Sequence, residues 1–371
     1  MSQKKLTEKI ESLTSIRFFF AFIVVLVHIN LIFPQYKFLP SALAQYGVTG
    51  FFMLSGMILT HVYKNENFLL KESKYNFYIK RITRIYPLYI LPLFILLPIK
   101  MVEMIKPEYI PIKSLTGFQL VYLKNCTWAN FGLQFLGLQS MTAGFNQAQY
   151  GWNGPGWSIS TELCFYLFFP FIIPLVNELK NIYLKTLFIF LIIISMSLGY
   201  LISTYEHLYD HPVMSFIYMN PLIRLVEFIL GIISYELCRY ITNLKIFFYL
   251  LLIGVSIELL IFILIPQYLF FAVPLYLQLL LMYLLLENPV WMRSKLLVLL
   301  GNSSYSLYLL HFPILLYIAL LVRMKLISIT LIKVMIICIS LIIISIITYK
   351  FYEKPLTVYL RKKKNSLSSG K

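Results

Sequence analysis

Residues 13–33, LTSIRFFFAFIVVLVHINLIF, decide the fold. A helix needs about 20 consecutive, predominantly apolar residues to cross the hydrocarbon core of a bilayer. This run has that length and contains just two side chains that carry or take up a positive charge, Arg17 and His28. A polar, basic stretch precedes it, as in a secretory signal, and Ala42-Leu43-Ala44 has a small-x-small form. That tripeptide lies well beyond the apolar run, however, and the run contains a histidine. The segment therefore reads as a retained first span.

The same pattern recurs along the chain. Of 371 residues, 60% are hydrophobic and 13% charged, against roughly 25% charged in soluble domains. A large soluble helical protein is excluded on that ground. Spans are expected near 13–33, 43–63, 85–101, 158–177, 184–202, 217–237, 246–265, 269–287, 303–322 and 328–350. The third is short, and Pro87, Pro92 and Pro98 are expected to kink it. The connection 102–157 holds Trp128, Trp152 and Trp157, suited to the membrane interface or to a partly folded cap, and 131–141 reads as a re-entrant or interfacial piece. The fold class is thus all-α and polytopic, with about ten transmembrane helices in a membrane domain 1–355 and a short basic tail 356–371.

The formal charge of +17 follows the positive-inside rule rather than a nucleic-acid footprint. Lys4, Lys5 and Lys9 precede the first span; Lys64, Lys71, Lys74, Lys80, Arg81 and Arg84 lie between the second and third. With Lys180, Lys185, Arg239, Lys245, Arg293, Lys295 and the tail Arg361-Lys362-Lys363-Lys364, they place both termini in the cytoplasm; Arg323 and Lys325 fall on the opposite side. The four cysteines show neither zinc-site spacing nor a disulfide framework. His207, Asp210 and His211 read as solvated loop residues, and no metal is expected.

Ionisable residues inside spans are costly and mark chemistry. Arg17 and His28 are eleven residues apart, so they fall within about 20° of one helical stripe and about 16 Å along it. Histidine suits a general base for a hydroxyl, and arginine an anionic donor or oxyanion. The bland alternative is a hydrogen-bonded histidine and a snorkelling arginine. Arg81 and Arg84, three apart, offer paired forks to a phosphate-rich donor such as acyl-CoA, or are simply flanking charges. Gly154-Pro155-Gly156 makes a turn before Trp157, and Ser158, Glu162 and Tyr166 share a face by i,i+4 spacing; Glu162 either takes a partner there or is a first-turn helix acid. In Gly301-Asn302-Ser303-Ser304-Tyr305-Ser306, Asn302 or Ser303 is expected to cap a helix whose His311, two turns in, assists catalysis, binds donor or bonds within the bundle. Arg224 and Glu227 read as an internal ion pair, and Glu258 has no assignment.

These segments together, in order, resemble the acyltransferase 3 family of membrane acyltransferases. The matching pieces are Leu13–Phe18 with His28, Gly50–Gly56, Arg81–Pro87, Trp157–Tyr166, Gly301–His311 and Tyr352–Pro355. The resemblance implies a ten-helix core in a cell membrane, such as a bacterial cytoplasmic membrane. It implies cytoplasmic acyl-CoA, usually acetyl-CoA, as donor and a carbohydrate hydroxyl as acceptor. On that pattern His28 is the catalytic histidine, with Arg17 nearby, and Arg81 and Arg84 serve the donor. Beyond the pattern, Glu162 is expected to join the catalytic residues, His311 the donor site, and Ser158, Trp157 and Tyr166 the acceptor site, with Glu162 and Ser158 on the acceptor's outer route. Many relatives carry a C-terminal extracytoplasmic esterase-like domain; this chain is expected to act without one, as O-antigen and exopolysaccharide modifiers do. The rival readings are a glycan carrier or flippase and a polysaccharide polymerase, neither of which needs CoA.

Overall fold

A computed structural model describes residues 10–36, 38–40, 42–105, 126–145, 151–204, 212–241, 249, 252–254, 256 and 272–369, and every regular element among them is helical. In chain order these are α1 (Glu11–Ile32), α2 (Ala42–Tyr63), α3 (Lys71–Ile105), α4 (Trp128–Phe135), α5 (Gly156–Asn177), α6 (Asn181–Thr204), α7 (Pro212–Met219), α8 (Pro221–Leu237), α9 (Val273–Glu287), α10 (Lys295–Arg323), α11 (Leu331–Thr348) and α12 (Lys354–Ser369). Among the described residues, eight helical stretches are long and apolar enough to cross a membrane, and they coincide with eight of the ten expected spans. The stretch 246–265 falls largely outside the described residues, as do His207, Asp210, His211 and Glu258. The span at 269–287 is the 15-residue apolar helix α9.

Two helix pairs build the centre, α1 with α10 and α2 with α8. Glycine lets their backbones meet. A Cβ on Gly56 would overlap the carbonyl of Phe228, one on Gly231 that of Met53, and one on Gly301 that of Thr14. Small residues at such crossings replace hydrophobic driving force, which lipid does not supply. Helix α8 also carries the expected ion pair: Arg224 Nη2 lies 2.9 Å from Glu227 Oε2, both side chains buried. Thr49 of α2 donates to Glu227 at 2.9 Å and accepts from Arg224 at 2.9 Å. On the outside, Ile332, Met335, Ile336, Ile339 and Ile343 of α11 are exposed at helical spacing, which is what a lipid-facing stripe requires.

Several boundaries differ from the sequence reading. Helix α3 begins at Lys71 and runs unbroken through its three prolines for 35 residues. Tyrosines from elsewhere donate to carbonyls beside them: Tyr305 to Ile85, Tyr352 to Pro87 and Tyr317 to Ile95. Helix α10 is capped by Ser294, which accepts from Leu297 N, so neither Asn302 nor Ser303 is a cap. Gly301 stands there because α1 presses against it. The stretch 131–141 is the end of the short helix α4 followed by turns, too short to span. Trp152 and Trp157 are buried rather than set at an interface. Trp152 donates to Thr127 and packs on Phe131 in a small folded cap, whereas Trp157 packs between Phe52 and Tyr218. A π-helical turn, Tyr349–Glu353, joins α11 to α12, so the tail is a helix continuous with the last span.

Candidate active site

At one end of the bundle opens a vestibule of about 1090 Å³. It is bounded by the starts of α1 and α10, the ends of α2, α8 and α9, and the π turn with α12. Arg17, Lys64, Arg84, Arg239, Lys354 and Arg361 line it; among the described residues its wall has one carboxylate, Glu353. Ser306 donates to that carboxylate at 2.7 Å. The vestibule narrows between Arg17, Ile58 and Arg84, which also border an inner cavity of about 80 Å³. A wide basic mouth thus adjoins a small chamber whose lining is apolar apart from its charged and hydroxyl groups.

The chamber is built from five helices, α1, α2, α3, α5 and α10. Helix α5 presents Ser158, Glu162 and Tyr166, the face that the i,i+4 spacing anticipated. Glu162 Oε1 accepts from Ser55 of α2 at 2.8 Å and from Tyr166 at 2.6 Å. Helix α3 contributes Arg81 and Arg84. Arg81 is buried, donates to Tyr63 at 2.7 Å and lies over the rings of Tyr63, Phe77 and Tyr166. Aromatic faces favour a cation and fix its plane. Helix α10 adds Tyr305 and Tyr308.

Arg17 and Arg84 make no hydrogen bond or ion pair with any described residue. They do lie within electrostatic reach of one another and of Glu162 and Glu353. Three guanidinium groups therefore face one chamber whose carboxylate is already held by two hydroxyls. Such a place demands an anion.

His28 lies elsewhere. It shares the α1 stripe with Arg17, yet it borders neither space, and it sits about 16 Å further along the helix. The two thus share a stripe of α1 at the separation that its eleven-residue spacing sets. His28 is instead beside His311, with Nε2 of His311 3.3 Å from Nδ1 of His28. His28 Nδ1 also lies 2.8 Å from the Val24 carbonyl, which accepts a proton from that nitrogen and leaves Nε2 with the lone pair. His311 Nδ1 is likewise 3.2 Å from the Leu307 carbonyl. The histidines connect to the chamber through its far wall: the Tyr308 and His311 rings are 6.0 Å apart, and Tyr308 shares a 2.7 Å hydrogen bond with Ser158.

The structure therefore gathers Arg17, Arg81, Arg84, Ser158, Glu162 and Tyr166 in one chamber, and His28 with His311 behind Tyr308. Glu162 and Ser158 share the chamber of the arginines rather than a separate outer route. Trp157 lines neither space. Sequence reasoning gave no role to Ser55, Tyr63, Tyr305, Tyr308 or Glu353. Their signal was present, since all but Tyr63 lie inside the quoted motifs, but a hydroxyl on an apolar helix does not say which neighbour it meets. No group of metal-ligating side chains occurs among the described residues.

Residues 10–350 match the family model described as an acyltransferase domain, Acyl_transf_3. No curated protein and no solved structure matches the chain.

Proposed function

The chain belongs to the acyltransferase 3 family and is a membrane acyltransferase, and from that premise we propose that it moves an acyl group, in the first instance acetyl, from acyl-CoA to a hydroxyl of a cell-surface or lipid-linked glycan. The observation that carries this reading is the basic vestibule closing between Arg17 and Arg84 onto a chamber that ends at Tyr308, with His28 behind it. A phosphate-rich head and a long neutral arm ending in a thioester fit that shape. The loop charges put the mouth, and both termini, in the cytoplasm of a bacterial or similar cell membrane.

In this reading Arg84 and Arg17 take donor phosphates at the constriction, and Arg81, fixed by Tyr63, lies deeper along the arm. Glu162, held by Ser55 and Tyr166, balances the guanidinium charge and keeps it oriented. The pantetheine arm enters the chamber toward Tyr308, beyond which His28 lies, so the Tyr308 wall must shift for the thioester to reach the imidazole. His28 Nε2 removes the proton of the acceptor hydroxyl as its oxygen attacks the thioester carbonyl carbon. The C–S bond then breaks, CoA leaves as thiolate, and the imidazolium returns the proton to sulfur. Tyr308 and Ser158 present hydroxyls where the carbonyl oxygen gains charge, and donors placed there stabilise it.

A carrier or polymerase does not call for unpaired arginines at the neck of a blind chamber. Thermal stabilisation of the purified protein by CoA tests the donor half of the reading. Binding of CoA in the micromolar to millimolar range supports it. Indifference to CoA at saturating concentration argues for the carrier.

A further inference from the structure

Helix α12 lies beyond the matched family segment, which ends at residue 350. It continues from α11 through the π turn, packs along α3 and brings Thr357, Val358 and Arg361 into the vestibule wall. Arg361 comes within electrostatic reach of Arg84 and Arg81 and makes no hydrogen bond or ion pair with any described residue. Like charges lining one vestibule repel, which calls for an anion among them. The nearby carboxylates do not fill that need, because Glu353 is engaged by Ser306 and Glu162 by Ser55 and Tyr166.

We infer that Arg361 of α12 binds a phosphate of the donor, so that the C-terminal helix forms one wall of the CoA site rather than a free tail. This rests on the acyl-CoA reading above. A lipid headgroup also carries phosphate. Arg361, however, lines a space that shares Arg17, Ile58 and Arg84 with the inner chamber, and CoA is the phosphate ligand whose other end must reach that chamber. Guanidinium–phosphate contacts are charge-assisted and bidentate, so losing one weakens binding by about tenfold or more.

The test measures binding of CoA, dephospho-CoA and pantetheine to full-length protein in uncharged detergent, for wild type, Arg361→Gln and Arg361→Lys. Arg361→Gln is expected to raise the CoA Kd about tenfold or more while pantetheine binding stays unchanged. Arg361→Lys is expected to recover part of the loss. If dephospho-CoA is weakened as much as CoA, the phosphate gripped is in the diphosphate; if it is spared, the 3′-phosphate. Equal weakening of phosphate-free pantetheine would show a general disturbance and overturn the inference. So would an unchanged CoA Kd in Arg361→Gln, and the same holds if the substitution removed only stabilisation by added phosphatidylglycerol. Failure of the wild type to bind CoA at all would instead remove the acyl-CoA reading itself.

Discussion

His311 Nε2 lies 3.3 Å from His28 Nδ1, across the contact between α1 and α10. The proton on His28 Nδ1 thus lies between two acceptors, the Val24 carbonyl and the second histidine. A base that must gain charge at Nε2 benefits when its opposite nitrogen is anchored in this way. His311 lines neither the vestibule nor the chamber, and its place beside His28 favours the catalytic one of the roles open to it in sequence.

That relationship predicts a split in kinetics. His311→Gln should lower the transfer rate by about a hundredfold, within the range of general-base effects, while CoA affinity stays at the wild-type value. Equilibrium binding beside single-turnover transfer separates the two. A weakened CoA Kd with an unchanged rate would return His311 to donor binding.

Arg17 and Arg84 should behave in the opposite way. Replacing either by Gln removes a cation at the constriction, and CoA should bind about ten- to a hundredfold more weakly. Wild-type affinity should also fall as salt is raised, because part of the attraction is long-range and screened. Titration at low and high ionic strength checks both points. Full CoA affinity in Arg84→Gln would rule out a phosphate at the constriction.

The buried ion pair of α8 is expected to be structural. Glu227→Leu leaves Arg224 buried without its carboxylate, at a cost of about 3–5 kcal/mol. The double replacement Arg224→Met with Glu227→Leu should recover most of that, since it removes both charges. Thermal unfolding in detergent of the singles and the double tests this. A double variant no more stable than Glu227→Leu alone would contradict it.

Gly56 and Gly231 are expected to be the least replaceable residues of the α2–α8 crossing. Alanine at either site must push a backbone carbonyl aside, and overpacking of this kind costs about 1–3 kcal/mol. Gly132, which faces open space, is the control, where alanine should leave the unfolding temperature within about a degree.

Hydropathy made the spans legible because twenty apolar residues have few other uses, and the single-stripe spacing of Ser158, Glu162 and Tyr166 survived because helical geometry is local. Arg17 and Arg84 were also recognisable, as charges that hydrocarbon does not tolerate without purpose. The partnership of His28 with His311 was not, since it joins residues 283 positions apart and depends on how closely Gly301 lets α10 approach α1. The true cap of α10 was missed for a related reason: Gly301 looks like a helix start in sequence but is a crossing point. The packing of α12 against α3 left no trace in periodicity, because its charges read equally well as topology.

The most direct measurement is release of CoA thiol from acetyl-CoA by the purified protein, with and without a glycolipid extract, for wild type and His28→Ala at matched protein levels. Acceptor-dependent release in the wild type, lost in His28→Ala while CoA still binds, is the result expected of a transferase whose base is His28. Undiminished release in His28→Ala would contradict that mechanism.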